Sequence, residues 1–181
     1  MSQHDTYGRN AFSLICFSIA GIAILTAASF HVQGQTDASM NTHTAHTYTP
    51  QKLKEMGAAL AVKASTSPDG AASETLEEFS GHKTMLAYRH QSGGAEVHDH
   101  FADVFMIVEG SAMLETGGTV VAPTTTSPGE TRGTALEHST AQAVHAGDVV
   151  QIPPRLPHRM KLEPGGKILY FVVKLQEIPA Q

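Results

Sequence analysis

Along the chain the hydrophobic pattern changes character three times. Residues 11–30 (AFSLICFSIAGIAILTAASF) are uncharged and apolar or small throughout, whereas residues 35–48 (QTDASMNTHTAHTY) are polar. From Thr49 the apolar positions Leu53, Met56 and Leu60 fall three and four apart, the period of one helix face. Thr49 is a good N-cap, and Pro50 suits the first turn, where its missing N–H costs nothing. The spacing therefore predicts an amphipathic helix over 50–63, broken by Ser65 to Gly70 (STSPDG). From Thr75 onward short apolar runs sit between turns rich in glycine, proline and serine. They predict strands over 83–89, 104–108, 111–115, 119–122, 135–138, 141–144, 159–162 and 167–175. The run 104–108 is nearly continuous, as in a strand buried on both faces. Residues 123–134 (PTTTSPGETRGT) read as a long excursion at one mouth of the fold. Many short strands with almost no helix place the chain in the all-β class, as a sandwich or barrel of jelly-roll type.

The apolar run at 11–30 follows Arg9, and the small residues Ala27, Ala28 and Ser29 close it. A charged start, an apolar middle and a small-residue zone make an export signal, with cleavage after Ser29 or after Gly34. About 20 apolar residues also suffice to span a bilayer, so an uncleaved anchor stays open. The expected division is a signal peptide or membrane anchor at 1–34, a linker with the helix at 35–74, and a β-barrel at 75–177. The expected location is periplasmic or extracellular, or at a membrane held through residues 11–30. Cys16 is the only cysteine, so a cleaved domain has neither a disulfide nor a thiolate metal site.

The 181 residues allow one domain with its own core plus an extension. A net charge of −5 and a pI near 6.1 argue against nucleic acid. The densest basic group is Arg155, Arg159 and Lys161. The helix stripe needs something to cover, and with spare strand surface it predicts a homodimer.

The candidate chemistry lies in two stretches, Gly94–Gly110 (GAEVHDHFADVFMIVEG) and Gly147–His158 (GDVVQIPPRLPH). Alternate side chains of a strand share a face, so His98 and His100 should point the same way, with Glu96 beside them if the strand is regular that far back. His158 follows Pro153, Pro154 and Pro157, whose fixed backbone sets its direction. Imidazoles with a carboxylate suit one divalent first-row ion such as Fe, Mn, Ni, Cu or Zn.

These stretches resemble the two motifs of the cupin superfamily. Gly94 (or Gly93), His98, His100, Asp103 and Gly110 stand for the first motif, and Gly147, Pro153 and His158 for the second. The resemblance covers roughly Thr75 to Glu177 and implies a single cupin barrel whose metal ligands are His98, His100, Asp103 and His158. The sequence departs from the pattern in three places. Asp103 is shorter than the usual Glu and lies closer to the histidine pair. Arg155 replaces a Gly that eases a turn, and Leu162 replaces an Asn. Glu96 is the competing oxygen donor. Two readings of function follow. One is an exported metal-binding cupin acting on a small organic molecule, with oxygenase-like chemistry and no separate catalytic residue named. The other is a non-catalytic module that binds or senses a small ligand. Arg155 is a candidate partner for a substrate carboxylate.

Overall fold

A computed structural model describes residues 44–177. The apolar run 11–30, Cys16 and the tract 35–43 lie outside the described residues. Among those described, no helix is long and apolar enough to cross a membrane.

Helix α1 spans Pro50–Ser65, two residues longer than its periodicity predicts. The Thr49 hydroxyl accepts a hydrogen bond from the Lys52 N–H at 3.1 Å, closing the first turn as a cap should. Upstream, the Tyr48 hydroxyl donates to Glu77 at 2.9 Å and His46 contacts the same carboxylate, so this end of the polar tract is pinned to the fold. The first strands are β1 (Ala71–Glu78), β2 (His82–Arg89), β3 (Ala95–His98) and β4 (Phe101–Thr116). Short strands follow: β5 (Thr119–Val121), β6 (Thr124–Ser127), β7 (Glu130–Gly133) and β8 (Ala135–Glu137). The last four are β9 (Thr140–His145), β10 (Val149–Ile152), β11 (His158–Lys161) and β12 (Ile168–Gln176).

Ten strands form one continuous antiparallel sheet, which β4 folds in two. The first part of β4 pairs with β12 and β10, its second part with β9 and β11. One half of the sheet is therefore β1-β2-β12-β4-β10, and the other is β9-β4-β11-β3-β7-β6; β5 and β8 pair separately. The bend falls at Gly110, where φ is +82°. A Cβ there would overlap the Lys167 carbonyl oxygen, so only glycine fits. The sequence suggests that Gly110 ends a strand; instead one long strand turns through it.

The two halves enclose a core that includes Phe105, Ile107, Leu114, Ile152, Met160 and Ile168. A second cluster lies on the outside of β2 and β12, where Leu53 and Leu60 of α1 meet Leu86, Leu169 and Phe171. Gly57 lets the helix approach closely, because a Cβ there would run into Leu169. The helix stripe is thus covered within the chain, which removes it as an argument for a dimer.

Two further expectations change. Run 104–108 is not buried on both faces: Phe105 and Ile107 point inward while Met106 is exposed, because α1 covers only part of the outer surface. Residues 123–134 are not a loop excursion. They hold the hairpin β6–β7, which extends the second half of the sheet by pairing β7 with β3.

Candidate metal centre

Cross-strand register brings the donors together. His158 lies opposite Glu96 where β11 meets β3, and His98 stands two positions beyond Glu96 on the same face. Asp103 faces them from the other half of the sheet. Among the described residues, the buried charged or strongly polar side chains are those of His98, Asp103 and His158, 2–3 % exposed.

His98 Nε2 lies 3.3 Å from Asp103 Oδ2 and 3.4 Å from Glu96 Oε2, and His158 Nε2 lies 3.6 Å from Asp103 Oδ2. Glu96, His98 and His158 each offer a ligand atom, all within 4.8 Å of one another. Both imidazole Nε2 atoms are buried without a hydrogen-bond partner, a costly condition unless something else occupies them. Donors sharing one ion at about 2.1 Å, at near-tetrahedral angles, sit about 3.4 Å apart. The three spacings of 3.3, 3.4 and 3.6 Å lie close to that value, so these residues fit a small divalent ion.

Each donor is held by a neighbour. His98 Nδ1 is 2.6 Å from Glu130 Oε2, and His158 Nδ1 donates to the Leu156 carbonyl at 3.0 Å. With Nδ1 carrying the proton, Nε2 of each ring is the atom turned to the centre. Lys174 Nζ donates to Asp103 Oδ1 at 2.7 Å, leaving Oδ2 for the imidazoles, and Arg132 pairs with Glu96.

These contacts set the charge states. Burial opposes the His98 imidazolium, but the Asp103 and Glu96 carboxylates outweigh it and raise the pKa from 6.5 to about 9. Burial likewise opposes ionised Asp103, yet the His158 and His98 rings and the Lys174 charge hold it well below the usual carboxylate range. Desolvation opposes ionised Glu96, yet the nearby His98 ring and the Arg132 charge outweigh it and lower the pKa to about 2. The Asp103 and Glu96 carboxylates therefore favour the protonated form of His98 when no ion is bound.

His100 is not in this cluster. Strand β3 ends at His98, and residues 99–100 form a bend, so the two-residue parity fails and His100 is exposed. Glu96 stands where the sequence placed it as the competing donor. Arg155 does not reach the cavity as a carboxylate partner. Its φ of +66° keeps the left-handed backbone that a glycine would adopt there, and its guanidinium pairs with Glu177 at 2.7 and 3.1 Å and donates to the Asp99 carbonyl at 2.9 Å. The Arg155 N–H donates to the His98 carbonyl at 2.8 Å, and the Glu177 N–H donates to the His100 carbonyl at 2.7 Å. His138 and His145 are exposed. Sequence reasoning missed Glu130, Arg132 and Lys174. The only available signal was Pro128-Gly129, a turn that returns Glu130 toward β3.

An open cavity of about 480 Å³ adjoins the cluster; Met85, Phe101, Phe105 and Val172 form its apolar wall, and His98, Asp103 and Glu96 part of its polar lining.

No family model matches the chain, and no curated protein matches it. Solved structures similar to it include cupin-like and double-stranded β-helix proteins. An uncharacterised protein with a double-stranded β-helix domain from Klebsiella pneumoniae is 12% identical with a TM-score of 0.47, over 73% of this chain and 90% of that one. DMSP lyase DddQ from Ruegeria pomeroyi is 13% identical with a TM-score of 0.43; the match covers 61% of this chain and about half, 49%, of the lyase. A cupin-like protein from Thermotoga maritima is 13% identical with a TM-score of 0.43, over 58% and 68% of the two chains.

Proposed function

We propose that the protein holds one divalent transition-metal ion through His98, His158, Asp103 and Glu96 and uses it on a small organic molecule in the adjoining cavity. The observation that carries this reading is the pair of buried, unpartnered imidazole Nε2 atoms spaced for a shared ion. A bound ion would supply Lewis-acid or oxygen chemistry at its open positions. The chain's own residues do the rest. Glu130 and the Leu156 carbonyl orient the rings, Lys174 orients Asp103, and the apolar wall excludes water from the substrate's body. The wider reading keeps the exported character argued from residues 11–30.

A second reading, a metal-free binding module, has one observation in its favour: Lys174 and Arg132 already compensate the two carboxylates. Metal analysis of purified protein separates the two. About one equivalent of Fe, Mn, Ni, Cu or Zn is expected, lost in both His98→Ala and His158→Ala while circular dichroism stays that of the parent. A metal-free parent that also fails to take up added Mn or Zn would remove the first reading.

A further inference from the structure

The cavity contains a charge arrangement that the metal ligands do not explain. Lys83 of β2 lies directly opposite Lys174 of β12, and Lys174 lies directly opposite Asp103 of β4. All three line the same cavity. Side chains directly opposite on one face sit about 5 Å apart, and like charges there repel. Lys174 is answered by Asp103 at 2.7 Å. Lys83 makes no ion pair within 4.0 Å among the described residues, although Glu78 is its in-register neighbour on β1. Of these two neighbouring ammonium groups only Lys174 is thus held by an acid within 4.0 Å, and beside them Met85, Phe101 and Phe105 give the cavity an apolar wall among its other polar lining residues.

Across the whole lining the formal charges balance. Four cationic side chains, Lys83, Arg89, Arg132 and Lys174, stand among four carboxylates. A divalent ion at the centre would leave the cavity positive inside a chain whose net charge is −5. Such a pocket selects negative charge on its ligand.

We propose that the cavity takes a small organic monocarboxylate, its carboxylate held between Lys83 and Lys174 and its apolar body against Met85, Phe101 and Phe105. This deepens the functional reading above and rests on it for the ion, but the lysine pair is present without the ion. The test is calorimetric titration with butyrate, its neutral isostere butyramide, and inorganic phosphate, on both chelator-treated and manganese-loaded protein. Butyrate is expected to bind both forms, at least tenfold tighter than butyramide. Lys83→Met, which keeps the apolar stem, should cost at least tenfold in butyrate affinity with an unchanged melting temperature. If Lys83→Met fails to fold, Lys83→Gln replaces it with the same expectation. Butyrate binding to chelator-treated protein that Lys83→Met abolishes upholds the proposal whatever metal analysis returns. Equal binding of butyrate and butyramide, no binding to either form, or unchanged affinity in a folded Lys83 variant overturns it. Tighter binding of phosphate than of butyrate overturns the carboxylate assignment.

Discussion

Glu130 is the residue whose removal says most about the centre. A carboxylate on the far nitrogen of a ligating imidazole fixes the tautomer and raises its basicity, and losing it typically costs 10–100-fold in metal affinity. With Glu130 Oε2 at 2.6 Å from His98 Nδ1, Glu130→Gln should weaken zinc binding about tenfold and Glu130→Ala about a hundredfold. Competition with a chelating dye measures both, and equal affinity in all three proteins would reduce Glu130 to a surface acid. That the rings of His98 and His158 would meet was legible in the sequence, because each sits in a strand with a fixed direction. His100 was misread because parity holds only while the strand continues, and the bend after His98 has no strong local signature. Glu130 and Lys174 were not legible, because their places depend on which strands pair with β3 and β4, a non-local fact.

At the scale of the element, β4 decides the architecture. Its apolar run 104–108 was readable as a strand, though not the alternation of inward Asp103, Phe105 and Ile107 with outward Met106, and the helix stripe of α1 was readable from its period. The continuity of β4 through Gly110 was not, since a glycine after an acid looks like a turn. The bend predicts an unequal pair of substitutions. Gly110→Ala meets both a left-handed backbone and the Lys167 carbonyl, and should lower stability by about 3 kcal/mol. Gly165→Ala, at φ +75° in open space, should lose only about 1 kcal/mol. Urea midpoints compare them, and a Gly110→Ala protein as stable as the parent would contradict the close approach. The hairpin β6–β7 was hidden because its threonines carry no apolar alternation.

The whole molecule should register the charge state of its centre. In the metal-free protein the His98 pKa rises from 6.5 to about 9 on folding. A raised folded-state pKa means that its stabilising contribution is complete below pH 6.5 and is lost as pH rises through 9. The melting temperature of chelator-treated protein should therefore fall across that interval. Metal uptake should run the other way, since the ion and the proton compete for the same nitrogen. A melting temperature that holds level or rises from pH 6.5 to 9 would show that Asp103 and Glu96 do not hold a proton on His98.

Glu177 binds the backbone of His100 and the side chain of Arg155, and Arg155 in turn grips the carbonyls of Asp99 and His98. The carboxyl end of the last strand is thereby knotted to the corner from which the first imidazole hangs. Proteolytic trimming that reached Glu177 would slacken that corner while leaving both hydrophobic clusters whole. Such a clipped protein would pass every assay of folding and still have lost its grip on the centre.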